Sequence, residues 1–160
     1  PEIARSARVR HLVFGAADFA ADVGAEPDDQ ELETLFARSQ LVIASRAAGL
    51  EPPVAGAFTR LDDLSCLERS TRRYARLGFF GRSCIHPRQV AIVNEIFTPS
   101  PARVARAQEI VQAHTEAALA GAGGVVLADG EFVDAAAVRR EDALLQLART
   151  LGAETKVVGR

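Results

Sequence analysis

Three short apolar runs, each leading into a capped helical pattern, constrain this chain more than any other feature. His11-Leu12-Val13-Phe14-Gly15, Pro53-Val54-Ala55-Gly56-Ala57-Phe58 and the run from Phe79 to Ile85 read as buried strands over about 12–15, 53–58 and 79–85. A polar loop follows the first strand. Asp28 or Asp29 then caps a helix reaching about position 48, with Leu32, Leu35, Phe36, Ser39, Val42 and Ile43 at helical spacing and Gly49 as its stop. Asp62 or Asp63 caps the next helix, whose Leu64, Leu67, Thr71, Tyr74 and Leu77 are expected to face inward before Gly78 ends it. Repeated βα units imply parallel strands joined by right-handed crossovers. Three parallel strands cannot close a barrel. Three units of a (β/α)8 TIM barrel, the others lying upstream, fit this rhythm better than an open three-stranded platform.

The rhythm stops near residue 98, which divides the chain into the C-terminal part of a barrel (1–98) and an extension (99–160). A short helix over 88–96 ends at Thr98-Pro99-Ser100-Pro101, and a long alanine-rich helix covers 101–119. Two short apolar runs, 125–127 and 131–134, flank Asp129-Gly130, a strong hairpin signal. A last helix over about 135–151 completes a helix–hairpin–helix, and the tail 152–160 is expected to be loose.

Composition removes several function classes. With 19 basic and 21 acidic residues in 160, spread along the chain, there is no basic stripe for nucleic acid. No run approaches the roughly 20 apolar residues of a membrane span, and the first residues lack a secretory apolar core. Cys66 and Cys84 make neither a disulfide framework nor a zinc pattern. A soluble, cytoplasmic protein is expected. The chain begins at Pro1 and contains no methionine, so either a processed protein or, in better accord with the βα rhythm, a fragment of a longer polypeptide is expected.

Chemistry is sought at the strand ends, where parallel α/β folds bind ligands. Asp18 follows the first strand directly; it reads as a metal or catalytic carboxylate, or as a cap. Asp22, one helical turn on, reads as a cap. His86, in Cys84-Ile85-His86-Pro87, stands at the third strand end and reads either as a structural ring hydrogen-bonded across a barrel mouth or as a substrate contact. His11 and His114 read as surface or packing residues. Asp134 precedes the last helix, where an N-cap is the simple explanation. Gly121-Ala122-Gly123-Gly124 matches no nucleotide-binding glycine loop, and no serine sits in a nucleophile elbow.

Taken in order, these segments resemble the citrate lyase β-subunit-like proteins of the HpcH/HpaI aldolase superfamily. The resemblance is carried by Phe14-Gly15-Ala16-Ala17-Asp18-Phe19 with Asp22-Val23-Gly24, by Gly78-Phe79 to Gly81 with Cys84-Ile85-His86-Pro87-Arg88-Gln89, by Phe97-Thr98-Pro99-Ser100, and by Asp129-Gly130-Glu131-Phe132-Val133-Asp134. Each segment is weak alone; four in order are specific, and they span nearly all of 1–151. The family implies a (β/α)8 barrel nearly twice this length, in a homotrimer or larger assembly. It implies Mg²⁺ held by a Glu and an Asp. Asp18 matches the Asp, whereas the Glu and a substrate-binding arginine belong to strands outside this chain. Where the family usually has an acidic residue before that Asp, Ala17 stands here, which loosens the match. Asp134 matches a carboxylate that family members insert into a neighbouring subunit's active site as acid/base.

The implied activity is Mg²⁺-dependent carbon–carbon cleavage, or formation, of a 3-hydroxyacyl-CoA thioester such as malyl-, citramalyl- or citryl-CoA. The partners would be an acyl-CoA or carrier-protein thioester and a keto acid. Gly15, Ala16, Ala17 and His86 would contact substrate, Asp18 the metal, and Asp134 would move a proton. Two alternatives stay open: a hydroxyacyl-CoA thioesterase on the same scaffold, and a non-catalytic structural or binding paralogue or fragment.

Overall fold

A computed structural model of the chain describes residues 2–152. The expected loose tail therefore falls, beyond Gly152, outside the described residues. The chain divides into two compact units, with the boundary after Phe97.

The first unit is built on strands β1 (Val13–Phe14), β2 (Val54–Ala55) and β3 (Gly81–Arg82), parallel and in that order. Val13 pairs with Val54 and Val54 with Gly81; Phe14 pairs with Ala55 and Ala55 with Arg82. Further backbone bonds, such as Glu51 N to Arg10 O and Phe80 N to Pro53 O, prolong the contact beyond the strands proper. The helices are α1 (Ala16–Val23), α2 (Leu35–Ala47), α3 (Leu64–Leu77) and α4 (Pro87–Phe97). The Phe14–Ala55 face of the sheet is covered by Tyr74 and Phe79, with Phe19, Leu41, Val42, Leu77 and Phe97 around them. Tyr74 and Phe79 meet edge to face, ring centroids 4.8 Å apart, the arrangement their quadrupoles favour.

Local chemistry accounts for the ends of α3. The Asp63 side chain accepts from Cys66 N at 2.8 Å, satisfying one of the free first-turn donors. Gly78 at φ 102 then takes the left-handed turn that ends the helix. Leu67, Thr71 and Tyr74 are buried as the spacing predicts.

Three expectations need correction. Residues 16–23 form the helix α1, and Asp22 lies inside it rather than capping one. The helix expected from Asp28 or Asp29 starts later. Asp28 instead closes a turn by accepting from Gln30 N and Glu31 N, Glu31 takes a left-handed conformation (φ 58) that α-helix cannot continue, and a 3-10 turn at Leu32–Thr34 precedes α2. The stripe assigned to the core on this helix is in large part outside. Leu32, Phe36 and Ile43 are exposed, while Thr34, Arg38 and Ser45 are buried, because Arg38 finds Glu31 and the Tyr74 ring on the inner side.

In the second unit, α5 (Pro101–Leu119) and α6 (Ala135–Thr150) pack on each other beside an antiparallel pair, β4 (Gly124–Val126) and β5 (Phe132–Asp134). Ser100 caps α5 through Arg103 N, and Pro101 occupies its first position, where a missing N–H costs nothing. Gly130 (φ 86) makes the turn between the two strands. Ile110, Leu127 and Val133 form the core, with Val125 and Val138 against them. The buried carboxylate of Glu141 is ion-paired with Arg103 and accepts from Arg140 Nε at 2.9 Å. No helix among the described residues is long and apolar enough to cross a membrane.

Candidate functional site: the strand ends of the parallel sheet

Parallel adjacent strands bring Gly15, Gly56 and Ser83 to one edge of the sheet. Gly56 N donates to Phe14 O at 2.9 Å and Ser83 N to Ala55 O at 2.9 Å, so the edge is held by backbone bonds on both sides of β2. A Cβ at Gly56 would lie 2.6 Å from Phe14 O and 3.3 Å from the Cα of Gly15. Only glycine lets the chain leaving β2 run this close to the chain leaving β1.

That approach leaves α1 to start directly at the strand end. Gly15 is its N-cap and has no side chain to offer, and the first helical bond is Phe19 N to Gly15 O at 2.9 Å. The N–H groups of Ala16, Ala17 and Asp18 precede that bond and receive no side-chain cap. Such a helix start favours anions, by its free donors and by the positive end of the helix dipole. Asp18, in this first turn, is exposed and makes no hydrogen bond or ion pair among the described residues; its carboxylate folds back towards the Gly15 Cα. Gly15, Ala16, Ala17 and Asp18 are thus brought together.

His86 stands at the third strand end, half-buried. Its Nδ1 accepts from Arg88 N at 3.2 Å, and its carbonyl accepts from Gln89 N at 3.0 Å. The ring therefore braces the entry to α4 through Nδ1, and its Nε2 takes no part in that bond. The residue that spans two strand ends is Gln89. It is buried, donates through Nε2 to Phe58 O at 2.8 Å and accepts at Oε1 from Ile85 N at 2.9 Å. Gln89 went unremarked in the sequence except as part of a motif, because a glutamine in a helix's first turn reads as a surface residue. Gln89→Leu is expected to leave Phe58 O and Ile85 N without partners. The cost is about 1–3 kcal/mol for each group left buried and unsatisfied, read as a lower urea midpoint at unchanged slope. A midpoint shift below about 0.5 kcal/mol would remove the bridging role.

Neither thiol is shifted towards the thiolate. Desolvation pushes the thiols of both Cys66 and Cys84 up, with the arginine near each opposing it only in part.

Asp134, in the second unit, caps α6: its Oδ1 accepts from Ala136 N at 2.9 Å and Ala137 N at 3.0 Å. These two bonds, that from Ala137 first, hold its carboxyl below the usual range.

Among the described residues no group of three or more His, Cys, Asp or Glu side chains is arranged to hold a metal ion. A hard cation such as Mg²⁺ nonetheless fits a single carboxylate at this strand end, because it takes oxygen ligands and commonly uses one or two carboxylates with water and substrate completing its shell. Asp18 would be the ligand, as an exposed carboxylate with no protein partner.

The HpcH/HpaI aldolase/citrate lyase family model matches residues 1–87. The chain is 32% identical to the mitochondrial citramalyl-CoA lyase of Homo sapiens over 88% of this chain and 41% of that protein. It is 35% identical to the L-malyl-CoA/β-methylmalyl-CoA lyase of Cereibacter sphaeroides over 94% of this chain and 52% of that one. The chain thus spans about half the length of the curated relatives it matches. Among solved structures, a citrate lyase from Burkholderia xenovorans superposes with a TM-score of 0.77 at 26% identity, covering 97% of this chain and 50% of that one. The CitE protein of Mycobacterium tuberculosis, in complex with magnesium and acetoacetate, superposes with a TM-score of 0.55 at 26% identity over 62% of this chain and 43% of that one. The α/β fold seen here is that of citrate lyase β-like structures, and the chain belongs to the HpcH/HpaI aldolase/citrate lyase family.

Proposed function

We propose that the protein carrying this chain is a Mg²⁺-dependent carbon–carbon lyase acting on a 3-hydroxyacyl-CoA thioester such as malyl-, citramalyl- or citryl-CoA. In this reading residues 1–98 are the last βα units of a (β/α)8 barrel, and residues 99–160 are a helix–hairpin–helix extension that reaches a neighbouring subunit of a homotrimer or larger assembly. The observation that carries it is the Asp18 carboxylate, partnerless beside the uncapped start of α1 at the strand ends. The names of the relatives, which are lyases of citramalyl- and malyl-CoA, support it, as does the magnesium in the CitE structure.

The free N–H groups at the start of α1 would hold the carboxylate of the keto-acid end of the substrate. Asp18 would hold Mg²⁺, which when bound supplies a Lewis acid for the neighbouring hydroxyl or keto oxygen. His86 would contact the substrate through Nε2. In cleavage the 3-hydroxyl gives its proton to solvent as the C2–C3 bond breaks; the keto acid leaves, and the electron pair remains on the acyl thioester as its enolate. Asp134 of a neighbouring subunit would move the proton at that α-carbon, to it in cleavage and from it in condensation.

Incubation of the full protein with citramalyl-CoA or malyl-CoA and Mg²⁺ tests this. Release of pyruvate or glyoxylate, trapped as a hydrazone, without free CoA thiol is the expected result. Free thiol without keto acid, or neither product, would overturn the lyase reading.

A further inference from the structure

Between α2 and α3, in the helical layer, lies a cavity of about 300 Å³ lined by Arg38, Arg73, Arg76, Leu32, Leu35 and Leu77, with Gln30 beside them. None of these residues comes from the strand ends. The carboxylate beside them is that of Glu31. It accepts from Ser70 Oγ at 2.7 Å and from Arg38 Nη1 at 3.3 Å, while Arg73 Nη1 stands 3.6 Å away, beyond hydrogen-bond reach. Arg38 also donates to the Glu31 carbonyl and stacks on Tyr74. One carboxylate therefore faces two guanidinium groups, and a third, that of Arg76, lines the same cavity. Arg76 makes no hydrogen bond or ion pair among the described residues, and Arg38 Nε and Arg73 Nη1 are buried donors with no acceptor. The Arg38 side chain is 2% exposed, so solvent does not satisfy it.

Buried N–H groups without acceptors are rare in folded proteins, and each calls for an explanation. Like charges lining one concave, partly apolar wall raise the local concentration of counter-ions. A planar guanidinium fork matches carboxylate and phosphate oxygens alike, and the volume is at the small end of ligand cavities. We propose that this cavity binds a small organic anion, its carboxylate or phosphate group on Arg38, Arg73 and Arg76 and its short apolar body against Leu32, Leu35 and Leu77. The proposal does not rest on the lyase reading.

Calorimetric titration of the full protein with glutarate, phenyl phosphate and the neutral glutaramide tests it. At least one acid should bind and glutaramide should not; whichever acid binds identifies the headgroup. Arg76→Gln removes a partly solvated charge without disturbing the core and should weaken binding at least tenfold. Leu35→Trp fills the cavity with no change of charge and should do the same. Asp18→Ala should leave this binding unchanged while impairing any strand-end activity, so the two sites fail separately. No binding of either acid would overturn the proposal. So would binding indifferent to both Arg76→Gln and Leu35→Trp, or binding lost only in Asp18→Ala.

Discussion

Asp18→Ala is expected to lower Mg²⁺-dependent lyase turnover by roughly 10³-fold, the several kcal/mol that a Lewis acid contributes to an enolate-forming step. Stability should hardly change. Asp18 is exposed and unbonded, and its only structural contribution is a negative charge at a helix start, about 0.3–1 kcal/mol by the dipole argument. Urea unfolding and Mg²⁺-dependent initial rates, measured on the same preparation, separate the two effects. Full turnover in a folded variant would sink the assignment of Asp18 to the metal. A collapse of the unfolding midpoint would instead give Asp18 a structural role that its surroundings do not suggest.

Asp134→Asn should produce a folded, assembled protein with turnover lower by on the order of 10²–10⁴, the range for loss of a general acid or base. The cap itself should survive, because asparagine's carbonyl oxygen can accept from Ala136 N and Ala137 N about as well as the carboxylate does. Those bonds depress the carboxyl's pKa. The cap's contribution to stability is therefore present at neutral pH and fades as acid takes the pH down through the folded-state value. In Asp134→Asn that acid-side loss should shrink. At neutral pH the capping carboxylate is ionised, so in condensation it can take the α-proton as it stands, whereas in cleavage it must first gain the proton it delivers. Mixing Asp134→Asn with Asp18→Ala should restore part of the activity if the two residues meet across subunits. No rescue despite proven subunit exchange would place Asp134's action within its own chain or nowhere.

The parts legible in the sequence are those whose cause is local. Asp63 before α3, Ser100-Pro101 before α5, Asp129-Gly130 between β4 and β5, and Asp134 before α6 each act through groups within a few residues, so spacing located these boundaries, leaving Asp62 or Asp63 as the α3 cap and Ser100 unnamed as one. The parallel pairing of β1, β2 and β3 was legible as rhythm, since a βα repeat permits few other arrangements. Less visible was anything decided by a distant partner. Helix α1 is two turns long and its core side is Ala20 with Ala16 and Phe19 packed alongside, too little for periodicity to register. Arg38 reads as a surface charge until Glu31, locked in a left-handed turn, and the Tyr74 ring are placed beside it. At the strand ends, Asp18 stood out by its position after β1. Gln89 did not, because its two partners, Phe58 O and Ile85 N, belong to separate loops.

The two pairing schemes set different clocks for folding. Every ladder contact in the parallel sheet joins residues separated by at least one whole helix, so β1 must wait for β2, and β2 for β3, across loops whose closure entropy is lost before any contact compensates it. The β4–β5 pair closes across a single glycine-containing turn, and α6 begins where β5 ends. Hairpins of this kind form in roughly 1–10 μs, whereas high-contact-order pairing takes milliseconds or longer. During synthesis the slow unit also leaves the ribosome first. It would then be the open edges of a half-built sheet, rather than the late hairpin, that determine how much of the chain escapes aggregation.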